Sequence, residues 1–282
     1  MNKHIYVVMR FSLLSNKIKG GWIAGKGTYE DYVANILNED RLEKHFELFE
    51  KVALESLVNQ KGFDVGNNLT LILLTAEILP KKYKEKLEYF QSKYSWIKIS
   101  YLNESCDFSD YNTLLVNEIK LLTNKTKTGT LFATVRLDDD DALSYQFLSK
   151  LYSYLDPKFI GFGYSAPRGS VGFLEKNGNQ YEVFHQYDSF NVALGLSFIN
   201  YFAYTTQEFH KKWISVYNLG DHSFIDKIVP VITDGSYLAY LRTRHSDSDS
   251  DSDYLTNMEK RKPLLSVELV KKNIYIAPNL FK

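Results

Sequence analysis

The chain has 282 residues, of which 44% are hydrophobic and 24% charged, the balance of an ordinary globular protein able to bury a large core. Its 34 basic residues match its 34 acidic ones, so overall charge favours no polyanion such as nucleic acid, and any anion site has to be local. The single cysteine, Cys106, excludes an intramolecular disulfide and a cysteine zinc cluster and suits a reducing cytoplasm; no apolar run reaches the length that crosses a bilayer, so membrane contact is expected to be peripheral at most.

Residues 5–9 form a continuous apolar, β-branched run, the pattern of a strand buried on both faces of a parallel sheet. The run is too short for the core of a signal peptide, and Arg10 and Phe11 stand at its carboxyl end. Residues 38–60 place Leu42, Phe46, Phe49, Val52, Ala53 and Leu57 at helical spacing and predict one long amphipathic helix. A second buried strand follows over 69–74, then a helix over 81–91 opened by Pro80, and a third strand over 96–101. The pattern over 110–122 is helical, and a fourth strand over 131–135 runs directly into Asp138-Asp139-Asp140-Asp141. Strands alternating with helices predict an α/β fold, and ligands of such sheets bind beyond the carboxyl ends of the strands, where Arg10, Thr75 and the aspartates fall.

The second half is less regular. Residues 142–155 read as a helix, and 159–163, 172–174 and 181–184 as short strands, with a hairpin turn at Asn177-Gly178. Pro167-Arg168-Gly169 reads as a loop, 240–244 as a strand, and the alternating Ser and Asp of 246–253 as a low-complexity acidic loop. The expected organisation is one domain, 1–282, with a nucleotide-sugar-binding half over 1–145 and an acceptor-side half over 146–282.

Four adjacent carboxylates after a buried strand repel one another, and a divalent cation held by two of them removes that cost. The oxygen-rich donor set suits Mg²⁺ or Mn²⁺, which in a nucleotide-sugar enzyme neutralises the departing diphosphate. His245 is expected to complete the metal shell begun by two of the aspartates, with His222 the competing histidine. Arg242 and Arg244, two apart on a strand, share a face and suit a phosphate clamp. Arg10 and Arg136 each end a central strand and call for an anionic partner, either the donor or the aspartates themselves. With Thr75 and Asp139 these complete the expected donor site. Glu182, Asp188, Glu208, Asp221 and Asp234 are all eligible by type as catalytic base, Asp188, Asp221 and Asp234 being the preferred candidates.

The segments VMRFS (8–12), the helix from Arg41-Leu42 to Phe49-Glu50, LVNQ (57–60), Leu79-Pro80 and VRLDDDDAL (135–143) together resemble the bacterial rhamnosyltransferase family, in the same order over most of the chain. That resemblance implies a GT-A-like fold, a Rossmann-type mixed sheet flanked by helices, with a DxD-type motif at Asp138 and Asp140 and a later histidine in the 241–245 segment. It implies a hexosyl-type glycosyltransferase taking a nucleotide-sugar donor, rhamnose being the named sugar. The acceptor would be a bacterial surface glycan or its lipid-linked precursor in polysaccharide biosynthesis. The expected place of work is the cytoplasm, at the inner face of the membrane. Two other readings use the same residues: a metal-dependent phosphoester hydrolase, and a non-catalytic calcium- or carbohydrate-binding module.

Overall fold

The strand expected over 5–9 extends at both ends: β1 runs Asn2–Phe11. In the computed structural model, which describes residues 1–17, 27–174, 181–245, 263–275, 277 and 280, β1 lies near the middle of a mixed sheet. It pairs in parallel with β2 (Leu69–Ala76) on one side and β4 (Thr130–Asp138) on the other, and β3 (Ile97–Leu102) lies outside β2. Successive side chains of β1 point to opposite faces, and both faces are covered. Val7, Met9 and Phe11 enter one core with Leu42, Phe46 and Phe49, while Tyr6 and Val8 enter a second with Tyr111, Leu115 and Ile119. Every position of β2 is buried for the same reason. Each such apolar side chain contributes about 1.5–3 kcal/mol.

The helix expected over 38–60 forms with a change of pitch in its middle. Asn38 caps α2 (Glu39–Leu48) by accepting from the Arg41 amide; a π-helical stretch follows at Phe49–Leu54, and α3 (Glu55–Val58) completes the run. The wider turn lets Phe49 and Val52 reach different cores, one against the large sheet and one against the smaller sheet. Ahead of it, α1 (Tyr29–Ile36) is capped by Thr28 and Asp31 in a reciprocal box whose T-x-x-D signature is present in the sequence. A short α4 (Val65–Asn68) precedes β2; α5 (Lys81–Lys93) and α6 (Tyr111–Thr126) stand close to their expected places.

The second half departs further from expectation. Residues 142–155 are not one helix: Ala142–Leu143 form β5, and α7 begins only at Phe147 and ends at Ser153. The backbone of β5 is claimed by β11 (Tyr240–Arg244), an antiparallel partner some hundred residues later that no local pattern reveals. The strand expected over 159–163 is displaced to β6 (Gly163–Ser165) behind a 3₁₀ turn at Pro157–Phe159. The 167–169 loop is absorbed into β7 (Arg168–Leu174), which pairs with β8 (Tyr181–Asp188) as the expected hairpin; its Asn177-Gly178 tip and the 246–253 repeat lie outside the described residues.

Two strands without a sequence expectation, β9 (Ser197–Phe202) and β10 (Val231–Thr233), complete the large sheet in the order β10-β6-β9-β4-β1-β2-β3, β9 running antiparallel to β4. The smaller sheet has the order β12-β8-β7-β11-β5, with β12 at Leu264–Leu265 followed by α8 (Val267–Asn273). The mixed sheet with helices on its faces is the expected α/β class. Strands from both sides of residue 145 build the large sheet. The aspartates are the corner at which the chain leaves it for the smaller one. Among the described residues, no helix is long and apolar enough to cross a membrane.

Candidate active site at the corner between the sheets

Parallel pairing of β1 with β4 places Arg10 opposite Asp138, and Arg136, two residues before Asp138, projects from the same face. The Arg10 Nη2 lies 3.3 Å from Asp138 Oδ1, and the Arg136 Nη2 lies 3.6 Å from Oδ2. Both guanidiniums stand over the ring of Tyr217, 5.5 and 5.6 Å from its centroid. Tyr217 comes from a 3₁₀ turn at Val216–Leu219 and is anchored by its hydroxyl donating to the Val8 carbonyl at 3.4 Å. Burial alone would raise the Asp138 carboxyl; the charges of Arg136 and Arg10 overcome it and hold the group at about 2, so it is ionised at neutral pH.

The other three aspartates each meet a different partner. Both carboxylate oxygens of Asp139 are within reach of His45 Nδ1, at 3.2 and 3.3 Å, and both side chains are buried. Asp140 Oδ2 is 3.1 Å from His245 Nε2, while its carbonyl accepts from the Thr243 hydroxyl at 2.7 Å. Asp141 Oδ1 accepts the Thr243 amide at 2.8 Å and so ties the β4–β5 corner to β11. Burial opposes ionisation of Asp140 and of Asp141. At Asp140 the neighbouring His245 outweighs it and the carboxyl sits below its ordinary range. At Asp141 burial and the Asp140 charge act together and push the carboxyl well up. His45 is raised, because the Asp139 charge outweighs burial.

The repulsion that makes four aspartates improbable is therefore met in large part by Arg10, Arg136, His45, His245 and the Thr243 amide. Among the described residues, no group of three or more His, Cys, Asp or Glu side chains is gathered to hold a metal ion. A cation that shares a nucleotide's phosphates needs only one or two carboxylates from the protein, the remaining places going to phosphate and water. Asp140 and His245 fit that requirement: their facing oxygen and nitrogen are 3.1 Å apart, about the spacing of neighbouring ligands around an octahedral ion with bonds of about 2.1 Å. Asp138, expected as a third ligand, is committed to two arginines instead.

Arg242 and Arg244 do share the side of β11 that faces the aspartates. The Arg242 Nη1 donates to the Tyr187 hydroxyl at 3.1 Å with its guanidinium over that ring. Arg244 is only 4% exposed, yet it makes no hydrogen bond or ion pair among the described residues, and burial and the Arg242 charge lower its pKa. Thr75 is fully buried, its hydroxyl without a partner among the described residues, and presents no surface to a ligand. Of the three preferred bases, Asp234 is buried and accepts from the amide and hydroxyl of Ser236, and Asp188 ends β8 beside Gln186. Asp221 is exposed, begins the 3₁₀ turn His222–Lys227 and lies within the field of Arg136. His222 is used elsewhere, its Nδ1 2.8 Å from the Asn191 carbonyl.

Sequence reasoning missed His45, Tyr217 and Tyr187. A signal for His45 existed: it lies three residues after Leu42 and four before Phe49, a polar residue on the apolar face of its helix. The tyrosines carried none, being two among 21.

A search of curated proteins gives no match to this chain. Among solved structures it is similar to S. aureus TarS 1–349, at 10% identity and TM-score 0.39 over 85% of this chain and 60% of that one. It is likewise similar to the same TarS segment in complex with UDP, at 12% identity and TM-score 0.38 over 86% and 61%. A 4-diphosphocytidyl-2C-methyl-D-erythritol synthase is similar at 9% identity and TM-score 0.32 over 92% and 99%. The chain thus spans about three fifths of the TarS segment, and likenesses this distant carry no argument about the site. The sequence is decisive where those folds are not: residues 4–256 match the profile of a family described as "Putative rhamnosyl transferase", and this chain belongs to that family.

Proposed function

We propose that the enzyme transfers a sugar, rhamnose on the family's description, from a nucleoside diphosphate donor, and that the diphosphate docks at the corner between the two sheets. The observation that carries this reading is Arg244. A guanidinium that is 4% exposed and unpaired among the described residues costs several kcal/mol in desolvation, and an anion seated beside it removes that cost. It stands one residue from His245, whose imidazole meets Asp140, so an anion there lies next to the pair suited to Mg²⁺ or Mn²⁺. Such a cation, when bound, neutralises the charge that develops on the leaving diphosphate.

The protein's own groups supply the rest. Arg10 and Arg136, both against Tyr217, keep positive charge at the ends of β1 and β4 and orient the donor. Asp138 keeps them aligned while remaining ionised. Asp221, exposed and ionised on the Arg136 side, is the base placed to take a proton from an acceptor hydroxyl. The acceptor we assign is a bacterial surface glycan or its lipid-linked precursor, worked on from the cytoplasmic face of the membrane. The test is calorimetric titration with UDP, dTDP and GDP in Mn²⁺ and in chelator. At least one should bind the wild type in Mn²⁺, and Arg244→Ala should weaken it about tenfold or more, a loss of about 1.4 kcal/mol or greater. Undiminished binding by Arg244→Ala, or no binding by the wild type, rejects the reading.

A further inference from the structure

The pair Asp140–His245 is backed by a second pair made in the same way. His45, from α2, is 5% exposed and meets the Asp139 carboxylate through Nδ1 at 3.2 Å. Its ring packs on that of His245 in a T-shaped contact, with centroids 5.4 Å apart and planes at 80°. Three consecutive links therefore join Asp139, His45, His245 and Asp140, and they begin and end on adjacent residues of one turn.

The chemistry of each link is specific. A carboxylate can only accept, so His45 Nδ1 carries the hydrogen, which fixes the rotation of the ring about its bond to the chain. In a T-shaped pair the ring that is fixed dictates the plane of the other. His245 follows β11, and its ring, held at one edge by Asp140, packs on His45, so the plane of His45 bears directly on the plane of His245. A phenylalanine at 45 would fill the space and keep the apolar face of α2 intact, yet it would lose the anchor on Asp139. The helical position explains the residue's place in the core, and the hydrogen bond explains why it is a histidine.

We infer that His45 is a positioning residue of the transferase site: anchored on Asp139, it holds the His245 imidazole in the orientation that faces Asp140 and so prepares that pair for a divalent cation. This rests on the reading of Asp140 and His245 as cation ligands. It assigns to α2 a part in the chemistry. It also assigns Asp139, expected as a donor contact, to the support of the site.

The experiment is Mn²⁺ affinity, followed by electron paramagnetic resonance of free Mn²⁺ with saturating nucleoside diphosphate, the one of UDP, dTDP and GDP that binds most tightly. His45→Phe should bind Mn²⁺ about tenfold more weakly than the wild type while its nucleotide affinity in chelator is unchanged. Asp139→Leu, which removes the acceptor for His45 Nδ1, should move in the same direction. The double variant should be no worse than the weaker single, because the two residues act as one unit. Circular dichroism identifies a variant that does not fold, in which case Asp139→Leu, which removes the acceptor but no ring from the core, carries the test. If the folded variants bind Mn²⁺ as the wild type does, or if the losses add, the positioning role is wrong. If the wild type itself binds no Mn²⁺ with any of the nucleotides, the cation reading falls first and this inference with it.

Discussion

Four aspartates in a row look alike on paper, and their surroundings make them four different groups. Asp138 is kept ionised by two guanidiniums, Asp139 anchors a histidine, Asp140 faces His245, and Asp141 is a buried acceptor for a backbone amide. The last accepts from a backbone amide, and burial beside Asp140 pushes its carboxyl well up against the pull of Arg242. An amide oxygen accepts the Thr243 N–H equally well and carries no charge. Asp141→Asn should therefore raise the melting temperature at pH 7.5 by about 2–3 °C, in line with a gain of about 1 kcal/mol for a chain of this size. A fall of similar size in calorimetry would show that the carboxylate charge is used.

Among the elements, β1 carries a titratable group far from the site. His4 is buried, its Nε2 2.9 Å from the Thr70 hydroxyl of β2, and burial lowers its pKa to about 4. The unfolded chain takes up this proton near 6.5 and the folded chain does not until about 4, so stability is complete above the first value and declines as pH falls toward the second. Urea unfolding should find the wild type losing roughly 2 kcal/mol more than His4→Phe between pH 7.5 and pH 5. Equal losses would mean that His4 titrates normally. A second element-level constraint lies in β7. A methyl group on Gly169 would stand 2.0 Å from the ring of Tyr240, which is fully buried and donates through its hydroxyl to the Tyr187 carbonyl at 2.9 Å. Gly169→Ala should cost about 2 kcal/mol or more and, by shifting β11, weaken nucleotide binding through Arg242, Arg244 and His245. Retention of both stability and binding would show that β11 is placed independently of this contact.

At the scale of the whole molecule, the corner proposed as the active site is also the junction of the two sheets. Strands β6, β9 and β10 extend the large sheet begun by β1 to β4, and β5 belongs to the smaller sheet although it lies before residue 145. Cutting between the expected halves would strip β4 of its partner β9 and β5 of its partner β11. A 1–145 fragment should accordingly show no cooperative thermal transition, while the full chain should melt as one unit in scanning calorimetry. A folded, cooperative 1–145 fragment would establish two independent domains instead.

Local sequence was sufficient where structure is local. The buried runs of β1, β2 and β4 and the amphipathic pattern of α2 declared themselves because hydrophobic period and strand burial are short-range properties, and the family segments lie on those same elements. Part of the candidate site was legible for the same reason: Arg10, Arg136 and the aspartates end strands, beyond whose carboxyl ends ligands of α/β sheets bind. What tertiary structure alone decided was pairing. Nothing near residue 142 announces that Ala142–Leu143 will bond to a strand a hundred residues away, or that Asp140 will meet His245 rather than His222. Likewise, Asp139 acquires His45 only when α2 folds against the corner. The run of aspartates was written in the sequence; the division of its charges among arginine, histidine and amide depends, the neighbouring Arg136 apart, on contacts across 94 to 128 residues, and only folding creates them.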